Sequence, residues 1–489
     1  MTYLNKRLAV FKKVPRMEVG YVFVVALFLS SLYTATKIPP FQSPDEFDHI
    51  KRAYLLSKGT LILDSPEGMS SGGMIDSGLA SYFAAYDKYP FAPDRKVSQE
   101  EIDLASGIQW MGVKQFSTAP GTGYYFPIIY APQATGLAVG EFLGMSVDAS
   151  YRLARLLTLL AVCFLLLLAF KLYSPPIIIM ALLIIPMSLF QISSASLDGI
   201  STAFTILALS VFLRIAIDKE RSNPWLLLLL SISVFIIASA RVHLALMVLL
   251  VYGSFFYTKD KKNLLAGLAV TVPLLIWMLV AIKTTHDTRI TTGLSTTSIV
   301  SYYFSHPLTF LQVFLDTLTN GSNQLFYAHS FVGILGWLDT TFPNHVYTYF
   351  YTLLFLACVC SFSLKPFHWS VRTLLLVCAA GSVLVIFLAL LVTWTPHPAT
   401  IIHGVQGRYF LIPAIIFAYT ISFREGPIAK FVFYRVFGII ILTFLFFFST
   451  HRTTQLLQKR YYPSTKEMHE SQAVPRGSEL VALKDRAQQ

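Results

Sequence analysis

Ionisable residues crowd one short stretch of the chain, PPFQSPDEFDHIKRAY at 39–54, where Asp45, Glu46, Asp48 and His49 fall within five positions. Carboxylates beside an imidazole are the residue types of a general base or a metal site. On a helix beginning at Asp45, Asp48 is three residues on and His49 four, so Asp45 shares a face with both. A plainer role competes: Pro44 at a first helical turn followed by two acids is also a good helix start.

Further polar residues stand at the ends of apolar runs: Asp198 in SSASLDGIS, Arg241 and His243 in SARVHLA, and His403 and Arg408 in IIHGVQGRYF. Ionisable residues beside membrane spans tend to mark substrate paths. Snorkelling to lipid head groups is the competing role for the arginines, and an ordinary polar cap for the histidines. In FVGILGWLDTTFP, Gly333 and Gly336 loosen the backbone, so Trp337 and Asp339 could meet a sugar ring by stacking and hydrogen bonding. An interfacial aromatic anchor is an equal role for Trp337.

The elements that must position these residues are membrane helices. The chain has 489 residues, 55% hydrophobic and only 13% charged, against roughly 25% charged in soluble domains. Runs such as Val19 to Ala35, Leu156 to Leu172, Leu264 to Ile282 and Thr373 to Trp394 reach the ~17–25 apolar residues of a membrane span. Together the runs read as about eleven spans of an all-α polytopic protein. The net charge of +12 comes from short basic clusters between those runs, which points to orientation rather than nucleic acid. The four cysteines lie in apolar segments without metal or redox spacing and read as packing residues.

Orientation turns on Tyr124 to Gly144, which Pro127, Pro132 and Glu141 interrupt. If it does not cross, the later basic clusters, from Arg214 to Arg435, all fall on the cytoplasmic side. It is therefore read as interfacial or re-entrant. The division expected is a cytoplasmic tail (1–16), a first span (17–36) retained as an anchor, and a long outer loop with juxtamembrane helices (37–148). Spans 2–7 (149–282), a second outer loop with an amphipathic helix from His306 on the membrane surface (283–342), and spans 8–11 (343–450) follow. The tail 451–471 is read as extracytoplasmic. VPRGS at Val474 to Ser478 resembles a thrombin site, so 472–489 reads as an addition made for expression.

With these residues in view, the chain resembles the GT-C class of membrane glycosyltransferases, which take sugar from a polyprenyl-phosphate carrier. Three features carry the resemblance: Asp45-Glu46 just past the first span, a long first outer loop, and a basic residue, Arg241, at the outer end of the fifth span. PDEFDH, GWLDT and GRYFLIP also look like signatures of a bacterial subgroup of multipass proteins assigned to that class. The resemblance implies that Asp45, with Glu46 beside it, is the catalytic base. Arg241, Arg408 and His243 would hold the donor phosphate, and Asp48, His49, Arg52, Trp337, Asp339 and His403 would meet the acceptor or the sugar. Asp198 matches the turn where some members place a metal-binding carboxylate; a single acid there rather than a pair leaves a divalent metal not favoured, and no other cofactor is expected.

The expected activity is an inverting transfer of a hexose from undecaprenyl phosphate to a cell-envelope glycan such as O-antigen, outside a bacterial inner membrane. The expected partners are the lipid-linked donor, a glycan acceptor and the bilayer. A transporter or flippase of a lipid-linked saccharide is the competing reading, and an assembly subunit without chemistry a third. A flippase would place ionisable residues deep in its spans, whereas these charges sit at the ends.

Overall fold

The computed structural model describes residues 16–218, 223–289, 291–362, 369–422 and 432–463. The expectations for the N-terminal tail, for residues 464–489 with their thrombin-like motif, and for the basic residues at 219–221, 365 and 424–430 lie outside these. The described residues contain nineteen α-helices and one two-stranded antiparallel sheet; the protein is an all-α polytopic membrane protein.

The first helix, α1 (Arg16–Ala35), turns Val22, Val25 and Leu29 outward and Phe23, Val24 and Leu27 inward, and Pro39 and Pro40 end the approach to the loop beyond it. That loop holds α2 (Glu46–Ser57), strand β1 (Gly72–Asp76), α3 (Ser77–Tyr86), α4 (Gln99–Ser106), strand β2 (Lys114–Thr118) and α5 (Ala131–Phe142). The strands pair antiparallel, with Gly72 opposite Thr118. Glycine is needed there because a Cβ on Gly72 would stand 2.1 Å from the Ser117 carbonyl oxygen.

The bundle comprises α6 (Val147–Leu172), α7 (Ile177–Leu183), α8 (Pro186–Ile192), α9 (Asp198–Asp218), α10 (Pro224–Ala240), α11 (Val248–Thr258), α12 (Lys262–Thr284), α16 (Asn344–Ser361), α17 (Trp369–Thr393), α18 (Leu411–Ile421) and α19 (Val432–Tyr461). Between α12 and α16 lie α13 (Thr296–Ser305), α14 (Pro307–Thr319) and α15 (Gly321–Val332). Single-turn 3-10 segments, Val242–Met247 and Gly407–Phe410, lead into α11 and α18. Among the described residues six helices are long and apolar enough to cross a membrane, and Pro224–Ala240, Val242–Thr258 and Gly407–Ile421 are shorter apolar segments. With α16 and the pair α7–α8, which Pro186 breaks, they make eleven passes of the chain from one end of the bundle to the other.

The ambiguous segment is the 3-10 turn Pro127–Tyr130 running into the twelve residues of α5. It folds back on α6 through the turn at Gly144. A Cβ on Gly136 would stand 2.4 Å from Ala154 Cα, and one on Gly140 2.3 Å from Ser150 Oγ. Two glycines four apart thus let the helices touch along one stripe.

The amphipathic stretch from His306 departs from the expected surface helix. It breaks at Asn320-Gly321 into α14 and α15. Phe310, Val313 and Phe314 pack with Phe387, Leu391 and Val405 in a second core, while Leu308, Leu311 and Leu315 stay exposed. Tertiary packing takes the face that periodicity alone would assign to lipid.

Candidate functional site

Four chain segments end at one place. Asp45 follows α1, Asp198 opens α9, Arg241 closes α10, and Arg408 lies in the 3-10 turn before α18. Gly407 permits that last turn: its amide donates to Ser330 Oγ at 2.7 Å, and a Cβ there would stand 2.0 Å from the Tyr327 carbonyl oxygen on α15.

The charges alternate along the site. Arg408 Nη2 donates to Asp45 Oδ2 at 2.8 Å, and Arg408 Nη1 lies 3.8 Å from Asp198 Oδ2. The other Asp198 oxygen accepts from Arg241 Nη2. The Arg241 guanidinium stacks over Tyr125 at 5.6 Å, whose ring neighbours that of His49 at 6.2 Å. His49 Nδ1 shares a hydrogen bond of 2.8 Å with the Tyr130 hydroxyl.

Asp45 stands at the N-cap position of α2 in a left-handed conformation, φ 62°, and its side chain makes no capping hydrogen bond. That backbone costs a non-glycine residue about 1–3 kcal/mol, less for aspartate than for most. The helix start read from Pro44-Asp45-Glu46 is present, with Glu46 and Asp48 in the first turn of α2, while the Asp45 carboxylate faces Arg408. Its side chain keeps 45% of its surface accessible. Burial opposes its charge, but Arg408, then His49 and Arg289, hold the carboxyl below its usual value.

The two neighbours differ. Burial pushes the Asp48 carboxyl up to about 6, against the opposing charges of Lys51 and Arg289. Burial pushes His49 down to about 3, helped by Arg241 and Arg408, so its imidazole is neutral near pH 7 and serves as a hydrogen-bonding ring rather than a cation.

Several expected site residues are engaged in holding the fold. Glu46 is fully buried, accepting from Tyr151 Oη at 2.8 Å, Ala195 N at 2.8 Å and Ser43 N at 3.2 Å, so it cannot reach an acceptor hydroxyl as arranged. It ties the loop after α1 to the turn that carries Asp198. Arg52 spends its guanidinium on the carbonyls of Thr60 and Leu61 at 3.2 and 2.6 Å. Asp339 accepts from Arg460 at the end of α19 at 2.9 Å. Trp337 donates to the Phe41 carbonyl at 3.1 Å, and its ring is flanked by Phe47 and Phe91. His243 is half-buried in the 3-10 turn after Arg241, and His403 is exposed.

Asp198 faces two guanidiniums, an arrangement suited to orienting arginines rather than to ligating a cation. Among the described residues no group of three or more His, Cys, Asp or Glu is placed to hold a metal ion.

Sequence reasoning missed Arg289, Tyr125 and Tyr130. Arg289 approaches Asp48 at 3.7 Å, pairs with Asp287 at 2.7 Å and stacks over Trp394 at 5.5 Å. It gets there because residues 284–288 hydrogen-bond to Ser65, Ser70 and Ser71, a docking with no local signal. The HDTR string at 286–289 marked only a polar loop.

Apolar passes converging on a polar cluster at one end define a multipass helical membrane protein with a candidate site at the membrane boundary. The chain belongs to the family described as "Predicted membrane protein (DUF2142)", whose model matches residues 27–418 and so takes in Asp45, Asp198, Arg241 and Arg408. No curated protein and no solved structure matches it.

Proposed function

We propose that this protein is an inverting glycosyltransferase of the GT-C type, taking a sugar, a hexose by preference, from a polyprenyl-phosphate carrier such as undecaprenyl phosphate. The acceptor is a cell-envelope glycan such as O-antigen, and the reaction runs on the outer face of a bacterial inner membrane. The observation that carries this reading is Asp45: an uncapped, accessible carboxylate beside a deeply set arginine, at the end of an apolar bundle. A prenyl tail must stay in hydrocarbon while its phosphate and sugar reach water, and that boundary is where the cluster stands.

In the reaction proposed, the acceptor hydroxyl oxygen attacks the anomeric carbon as the bond from that carbon to the phosphate oxygen breaks. The hydroxyl proton passes to Asp45, and the carrier leaves as polyprenyl phosphate. Arg408 and Arg241 would stabilise the charge on the departing phosphate. One displacement inverts the anomeric centre, through an oxocarbenium-like transition state.

The test is transfer by the purified protein from synthetic polyprenyl-phosphate hexoses to an envelope glycan. The base is worth ~10²–10⁴-fold, so Asp45→Asn at equal folded yield should lose at least a hundredfold. Equal rates would remove Asp45 from the mechanism. One feature favours a flippase instead, the broken pair α7–α8, since discontinuous helices are common in transporters. Lipid-linked saccharide flipping in liposomes without transfer would select that reading.

A further inference from the structure

One oxygen of the proposed base is already engaged. Asp45 Oδ2 accepts from Arg408 at 2.8 Å, while the Arg408 side chain is only 5% accessible and its buried Nε has no hydrogen-bond partner. Asp45, Arg408, Asp198 and Arg241 alternate in sign and sum to zero. An anion entering this chain of charges competes with a carboxylate for each guanidinium.

The two carboxylates do not yield equally. Asp198 is 16% accessible and holds both arginines, so stripping them would strand a buried, unpaired charge. Asp45 is 45% accessible and has no capping bond to lose, so water can replace Arg408 there at small cost. The geometry thus makes Asp45 the partner that lets go.

We propose that Arg408 is an exchanged cation: Asp45 holds it in the empty site, and the phosphate of a polyprenyl monophosphate takes it on binding, freeing Asp45 as proton acceptor only when the donor is in place. The exchange rests on the function proposed above for its second half; the displacement itself requires only that a phosphate binds. It makes donor binding precede acceptor activation. Losing Arg408 and gaining a nearby anion both favour the protonated form of a carboxyl, so Asp45 becomes a stronger base as the donor arrives.

Binding of polyprenyl monophosphate to the full chain in lipid nanodiscs at pH 7.5 tests this without any turnover. Asp45→Asn removes the competitor for Arg408 and should bind about five- to a hundredfold more tightly than the unaltered protein, the range of ordinary site-to-site coupling. Arg408→Ala should bind at least tenfold more weakly, with Arg408→Lys between the two. In the Arg408→Ala background, Asp45→Asn should bring no gain, because the gain acts through Arg408. A gain that persists there is a general charge effect and overturns the exchange, as does Asp45→Asn binding no tighter than the unaltered chain. Unchanged binding by a folded Arg408→Ala protein overturns the exchange together with the phosphate site of the proposed function. Asp45→Ser, with equal elution and melting profiles, guards against a folding artefact.

Discussion

The acidic residues that crowd positions 45–48 have three different fates, and burial separates them. Glu46 is sealed in among Tyr151, Ala195 and Ser43, Asp45 stays half open beside Arg408, and Asp48 is buried with Lys51 and Arg289 at its edge. Asp48 yields a pH prediction whose sign is opposite to the usual aspartate. Its folded carboxyl, pushed up to about 6, lies above the unfolded value near 3.9. Its contribution to stability is therefore complete below the unfolded value and is lost as pH rises through about 6. Asp48→Asn removes that loss, worth at most about 3 kcal/mol. Lys51 keeps the Thr118 carbonyl and Arg289 keeps Asp287 as partners. The melting temperature of the Asn variant in detergent should exceed that of the unaltered protein at pH 7.5 and match it at pH 4; equal melting at both values would mean that Asp48 is not held in a desolvated place. Single residues were legible here up to a point. Asp45, Asp198, Arg241 and Arg408 stood out as charges at the ends of apolar runs, but that Arg408 would meet Asp45 across 363 positions is set by the bundle, to which no local pattern points.

Helix α5 shows how a short element controls the site without touching substrate. It presses Gly136 and Gly140 on α6 and carries α2 on its other side, and Tyr130, just before its start, fixes His49. Alanine at Gly136 should gain about 1 kcal/mol of helix propensity, yet its Cβ would run into the backbone of Ala154. Backbone cannot step aside as a flexible side chain can. Overpacking of this kind typically costs 1–3 kcal/mol, so Gly136→Ala should lower folded yield and melting temperature, and Gly136→Val should do so more severely. Gly144→Ala makes a useful contrast: nothing stands within 4 Å, and only its φ of +67° opposes the change. If Gly136→Ala melted at or above the unaltered protein, the close contact of α5 and α6 would be wrong. Prolines and a glutamate made Tyr124–Gly144 ambiguous, and the side on which the later basic clusters would fall argued against a crossing. The β1–β2 sheet and the packing of Phe310, Val313 and Phe314 were not legible. The pairing of β1 with β2 across two intervening helices and the packing of α14 both depend on which partner a segment finds, and a strand of GGMID carries almost no alternation to reveal one.

The path of the chain through the whole bundle fixes which loops share a side. Asp45, Asp198, Arg241 and Arg408 meet at one end, where Arg460 also reaches Asp339 and the Tyr89 carbonyl. At the other end Ile178 N donates to Ser361 Oγ, and Phe362 bridges Ser422. Every pass returns the chain to the opposite end, so the sides of all loops follow once one is known. Lys259, Lys261 and Lys262 lie at the end away from the site, and basic clusters tend to remain in the cytoplasm. The site should therefore face outward, as transfer to an envelope glycan requires. Single cysteines in a background lacking Cys163, Cys358, Cys360 and Cys378 can decide this. Exposed positions at the site end are Glu67, Thr297 and His403, and Lys261 is exposed at the other. An impermeant maleimide on intact cells should label Glu67→Cys, Thr297→Cys and His403→Cys, and Lys261→Cys only after permeabilisation. The reverse pattern would keep the fold but place Asp45 and Arg408 in the cytoplasm, where polymers assembled outside cannot be acceptors. A split among the first three would break the shared-side arrangement itself, and with it the meeting of Asp45 and Arg408 on which the chemistry depends.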